Sequence, residues 1–137
     1  MDHHKLIESL YAAFSRGDLD TILRNVTDDV EWVEFGPASI PFTGVHHGRE
    51  SVKRCLTLVM VTQSDLRIRI TEFVSAGDTV VAAIRYSGRV TATGQAFDTS
   101  AVQVFTFRDG KVASFRDYFD TAQLATAYTP KARSVAA

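Results

Sequence analysis

Two carboxylates stand where the sequence could do chemistry. Asp117 lies in the run Gly110 to Asp120, just after an Asp109-Gly110 pair that signals a tight hairpin turn. Period-two geometry puts Phe115, Asp117 and Phe119 on one face of that strand, and Arg116, Tyr118 and Asp120 on the other. Burying a charge between two phenylalanines is costly unless it is paired or protonated. Asp117 is therefore either a structural partner or a working acid or base. Glu34 occupies a similar place in the segment Val30 to Phe35, sharing a face with Val30 and with Trp32, the only tryptophan. Gln103 interrupts the apolar row Ala101, Phe105 and Phe107. A buried amide needs partners, so it serves a ligand or a neighbouring side chain.

Other residues invite weaker readings. Trp32, Phe105, Phe115 and Phe119 are core residues that would also wall a cavity if the fold is hollow. Tyr11 reads equally as core or as a hydroxyl aimed inward. His46-His47 raises a metal hypothesis, but adjacent histidines point apart in extended chain and no third ligand stands at a helpful spacing, so no metal is expected. His3-His4 reads as a solvated helix start, and Cys55 as a small buried hydrophobe. For Arg85 the phase decides. Val80, Ala82, Ile84 and Tyr86 form the more apolar row, which places Arg85 outward unless a bulge near Ser87-Gly88 reverses it.

The elements that must position these groups follow from periodicity. Ile7, Leu10, Tyr11 and Phe14 recur at helical spacing over residues 3–16, closed by Gly17, and Asp18 caps a second helix carrying Leu19, Ile22, Leu23 and Val26. A Gly- and Pro-bearing loop separates the strand at 30–35 from a third helix with Val52, Leu56, Val59 and Met60 inward. From residue 66 the pattern is strand and turn. Strands are expected at 66–70, 79–90, 97–107 and 110–120, and residues 122–137 thin into a tail rich in Ala, Thr and Pro.

Bulk properties exclude several classes. The 137 residues suffice for one domain with a real core, and the 45% apolar and 23% charged shares are ordinary for a globular protein. A net charge of −1 and the lack of a basic tract argue against nucleic acid or an anionic membrane surface as partner. No apolar run approaches a membrane span and the N-terminus is polar, so a cytoplasmic location is expected. One cysteine leaves no internal disulfide.

Helices followed by a meander of long strands define an α+β pattern, a curved antiparallel sheet wrapped around N-terminal helices. Tyr11 to Asp20, Asp28 to Trp32, Gly44, Gly48-Arg49, Phe105 to Val112 and Arg116 to Asp120 together resemble the SnoaL-like branch of the nuclear transport factor 2-like superfamily. The resemblance implies a single domain over residues 1–122, with 123–137 as a loosely held tail. It also implies a cone-shaped barrel with one deep pocket and a homodimer formed through the outer sheet face. The fold hosts many activities.

Three enzyme types of the superfamily bear on the site. Ketosteroid isomerase holds a carboxylate base with a tyrosine and a protonated acid as oxyanion hole. Resemblance to it places Glu34 at the base position, while its tyrosine position falls on Leu10, next to Tyr11, and its acid position on Gln103. Limonene-epoxide hydrolase has a last strand resembling Arg116 to Asp120, which would make Asp117 a catalytic acid or base. Its other two members would fall on Ile84 and Tyr86, and no second carboxylate occurs between Asp78 and Asp98. Polyketide cyclases need one pocket carboxylate, some donors and an apolar cavity.

The expected function is therefore cofactor-independent acid–base chemistry (isomerase, cyclase or hydratase/hydrolase type) on a small, mostly apolar organic ligand. Glu34 and Asp117 would be catalytic, with Tyr11, Phe14, Trp32, Met60, Tyr86, Gln103, Phe105 and Phe119 lining the substrate. The alternative is a non-catalytic ligand-binding or dimerisation module of the same fold.

Overall fold

The structure, a computed structural model, describes residues 3–131. The elements run α1 (His3–Ser15), α2 (Leu19–Arg24), β1 (Val26–Glu34), β2 (Gly44–His47), α3 (Gly48–Thr62), β3 (Gln63–Ala76), β4 (Thr79–Val90), β5 (Ala96–Arg108), β6 (Lys111–Phe119) and α4 (Thr121–Tyr128).

Local chemistry sets the helix boundaries. Gly17 adopts φ +74°, and the Asp18 and Gly17 amides reach back to the Ala13 and Phe14 carbonyls at 2.8 and 3.1 Å, so α1 ends in a Schellman turn. Asp18 then caps α2, accepting from the Thr21 amide at 3.1 Å and the Thr21 hydroxyl at 2.6 Å. Those two bonds hold its carboxyl down to about 2. Arg49 locks α3 onto the next junction by donating to the Leu23 and Val26 carbonyls at 3.0 and 2.9 Å and pairing with Asp28.

The six strands form one sheet in the order β2-β1-β6-β5-β4-β3. All neighbours are antiparallel except β1 and β6, which run parallel. The curved sheet expected from the sequence stays open, with β2 and β3 as its edges. The β5–β6 hairpin turns through Asp109 and Gly110 at φ +52° and +77°, the left-handed pair that an Asp-Gly hairpin requires. Alternation decides what faces the helices. Ala101, Gln103, Phe105 and Phe107 of β5 are buried, as are Val80, Ala82 and Ile84 of β4, while Val102 and Arg85 are exposed. The helices cover that inner face through Ile7, Leu10, Ile22, Val52, Leu56 and Val59.

Several expectations change, among them the loop before α3, which holds β2, and the strand expected at 66–70, which runs from Gln63 to Ala76. Strand β1 begins at Val26, earlier than Val30, so Val26 is a strand residue paired with Val112 rather than part of the apolar face of α2. The tail assigned to 123–137 is helical through Tyr128: Asp120 caps α4 by accepting from the Gln123 amide at 3.1 Å, and Leu124 and Ala127 are buried. Its low-complexity composition hides a two-residue apolar contact too short to read as a periodic pattern; residues beyond 131 lie outside those described. Met60 is only half-buried, because it sits about 100° around α3 from the buried Val59. His3 and His4 stack on Phe107 and Phe73 at 4.0 and 4.6 Å, so aromatic contacts replace the solvated start.

Candidate active site

Register brings the site together. On β1 and β6, Glu34 stands opposite Asp117 and Trp32 opposite Phe115. On β5 and β6, Gln103 stands opposite Asp117 and Phe105 opposite Phe115. A polar row (Gln103, Asp117, Glu34) thus crosses three strands beside an aromatic row (Phe105, Phe115, Trp32). Trp32 and Phe115 stack with ring centroids 4.0 Å apart, and Phe105 meets Phe115 edge-on at 5.1 Å.

These rows form the floor of a cavity of about 90 Å³. Tyr11 and Phe14 of α1, Leu56 and Val59 of α3, Tyr86 of β4, Phe119 of β6 and Leu124 of α4 supply its walls. Of the sequence-proposed lining residues, all but Met60 border it. Leu124 was missed because it lies in the segment read as tail.

Hydrogen bonding within the cavity is sparse. The Trp32 indole donates to Glu34 Oε1 at 3.2 Å, and the Tyr11 hydroxyl donates to Gln103 Oε1 at 2.5 Å. Accepting through Oε1 commits the Gln103 amide nitrogen to other partners, and the amide supports the charged form of Asp117. Glu34 is 5% exposed. Its Oε2 and Asp117 Oδ1 are both buried atoms without a hydrogen-bond partner.

Electrostatics follow from that isolation. Burial pushes the Glu34 carboxyl well up, and the Asp117 charge and the hydrogen bond to Asp117 push it further. Burial also raises Asp117, against the opposing pull of hydrogen bonds from Glu34 and Gln103. Two carboxyls at facing positions without a cation cannot both ionise at modest cost, so the pair holds a proton, with Glu34 as donor and Asp117 as acceptor. Burial likewise holds Tyr11, Tyr86 and Cys55 in their neutral forms.

Arg85 takes no part. Its guanidinium meets Asp98 at 2.8 Å and Ser100 at 3.2 Å on the outer face, so no Arg85–Asp117 pair forms. His46 Nε2 donates to the Phe42 carbonyl at 2.8 Å, and His47 lies 3.3 Å from Glu31. Among the described residues no group of three His, Cys, Asp or Glu side chains could hold a metal ion. No helix among them is long and apolar enough to cross a membrane.

Helices over one face of an open, curved sheet, enclosing a cavity with a buried acid pair, define an α+β fold of the nuclear transport factor 2-like and cystatin-like kind. The family model described as "SnoaL-like domain" matches residues 7–115, and the chain belongs to that family. An NTF2-like protein of unknown function from Burkholderia pseudomallei is 26% identical, with a TM-score of 0.85 over 92% of this chain and 96% of that one. TerC, co-crystallised with polyporic acid, is 28% identical, with a TM-score of 0.79 over 90% and 95%. An uncharacterized protein of Mycobacterium tuberculosis is 25% identical over 83% of this chain and 86% of its own length.

Proposed function

We propose that this SnoaL-like protein binds a small, mostly apolar organic molecule in the cavity and moves a proton on it without a cofactor. The reaction would be an isomerisation, cyclisation or hydration. One observation carries this reading: the two buried, otherwise unpartnered oxygens of Glu34 and Asp117 at the floor of an aromatic cavity. A buried carboxyl raised well above its usual range is matched to general acid–base work. Its neighbour, favoured in the charged form by the Gln103 amide, is the better base. This assigns Asp117 as proton acceptor and Glu34 as donor to a developing oxyanion, whereas resemblance to the isomerases implies that Glu34 is the base. TerC's co-crystallisation with polyporic acid supports a small organic ligand.

The test needs no substrate identity. Compact ketones carrying acidic C–H bonds, incubated in D₂O with the protein, would exchange deuterium faster than in buffer. Glu34→Gln and Asp117→Asn would each lower that rate about 10²–10⁴-fold. Binding of the ketones without exchange would favour the non-catalytic ligand-binding module instead.

A homodimer through the outer sheet face belongs to the same proposal. Val102 and Tyr118, paired across β5 and β6, are 42% and 43% exposed, and Phe35 stacks on Tyr118 at 4.7 Å. A monomeric mass by light scattering would remove it.

A further inference from the structure

We infer that the ligand class of this cavity is a compact organic cation, a small amine or quaternary ammonium. Its charge would sit at the Glu34–Asp117 pair and its alkyl groups against the aromatic wall. The inference rests on the reading of that pair as the cavity's working group.

Charge balance is the first argument. Glu34 is 5% exposed and borders the cavity with Oε2 unpartnered; Asp117 is half-buried as a residue, but its Oδ1 is buried and unpartnered at the same cavity. No Lys, Arg or His among the described residues lines the cavity. The donors nearest the pair, the Trp32 indole and the Gln103 amide, are neutral. Arg85 and Arg116, which flank this region in sequence, are exposed, and Arg85 is bound to Asp98. Only a proton offsets the buried negative charge, and a cationic ligand can take its place. A carboxylate or phosphate ligand would meet repulsion and find no countercharge.

The wall is the second argument. Tyr11, Phe14, Trp32, Tyr86, Phe105 and Phe119 border the same space, and aromatic faces attract desolvated ammonium groups. A cavity of about 90 Å³ is of a size that takes a compact ligand.

Proton accounting follows. In the free protein the pair shares one proton. When a cation enters, that O–H bond breaks, the proton leaves to solvent, and both carboxylates face the ligand without any covalent bond to it. The other titratable groups facing the pair are Tyr11 from α1, Cys55 from α3 and Tyr86 from β4; all are neutral, so the exchange involves the pair alone.

Calorimetric titration of the full chain with tetramethylammonium chloride, in phosphate and in Tris, tests this against tert-butanol as an uncharged match. The expected result is at least about tenfold tighter binding of the cation. About one proton would be released per ligand, and affinity would rise about tenfold per pH unit while the pair remains protonated. The double variant Glu34→Gln with Asp117→Asn, checked for folding by circular dichroism, would abolish proton release and bring the two ligands to parity. If it fails to fold, the pH dependence of the wild type decides. Equal or tighter binding of tert-butanol, or cation binding with no proton release, would overturn the inference. Deuterium exchange of ketones with no cation preference would sink this inference alone, whereas cation preference without exchange would sink the catalytic reading alone.

Discussion

Glu34 and Asp117 face one another across β1 and β6, the one parallel pairing in the sheet. The chain reaches this juxtaposition only after a hairpin of helices, a crossover and a full meander. Its product is a carboxyl pair sunk in an aromatic cavity. The pair's chemistry is set by desolvation more than by any hydrogen bond.

Stability should carry the pair's signature. Both carboxyls titrate higher in the folded chain than in the unfolded one, so over that window the folded state binds more protons. Stability is then full at low pH and falls as pH rises from about 4, where unfolded carboxyls ionise, through the pair's own titration. The slope is at most about 1.4 kcal/mol per pH unit for each group. Thermal melts across this range should show the decline in the wild type and a flatter profile in Glu34→Gln.

Helix α4 should matter more than its composition suggests. Leu124 is 2% exposed and borders the cavity, and the Thr93 hydroxyl holds the Ala127 carbonyl at 2.5 Å. Leu124→Ala should cost about 2–5 kcal/mol and enlarge the cavity. Chemical denaturation measures the first effect, and a shift of ligand preference toward bulkier molecules the second.

Gly88 has no room for a side chain. A Cβ there would lie 2.7 Å from Leu66 Cδ2, 2.9 Å from Phe97 Cζ and 3.0 Å from the Ser64 carbonyl oxygen. The carbonyl belongs to backbone and cannot swing aside. Gly88→Ala should therefore destabilise by about 1–3 kcal/mol, visible as a lowered denaturation midpoint.

Arg85 offers the contrasting case. Its ion pair with Asp98 joins side chains 43% and 64% exposed, so screening leaves it little net value. Arg85→Ala should change stability by no more than about 1 kcal/mol and leave cavity binding unaltered. A strong loss of binding would mean that the guanidinium reaches the cavity after all.

Alternation made much of this legible from sequence. The phase of Phe115, Asp117 and Phe119, of Trp32 with Glu34, and of Arg85 against Ile84 and Tyr86 follows from period two alone, and each residue stands on the face so assigned. The pairing of strands was not legible. Nothing local in Val26–Glu34 specifies β6 as its parallel neighbour, and a bulge between Val26 and Glu31 resets the register before Glu34 meets Asp117. The Tyr11–Gln103 bond depends on the angle at which α1 crosses the sheet, which helical spacing leaves free. Helix α4 escaped because its cap, Asp120, also reads as the end of a strand, and its buried residues Leu124 and Ala127 are too few to show a helical period.

The central claim is that Glu34 and Asp117 hold a proton between them. Carbon-13 NMR of the two side-chain carboxyls, followed through a pH titration of the wild type and of Asp117→Asn, reads it directly. The account predicts that both resonances titrate above the ordinary carboxylate range and respond to one another, with Glu34 losing its proton last. It also predicts that Asp117→Asn brings the Glu34 titration down, since the neighbouring charge is gone while burial remains. Two independent titrations near about 4, the value of free carboxyls, would contradict it.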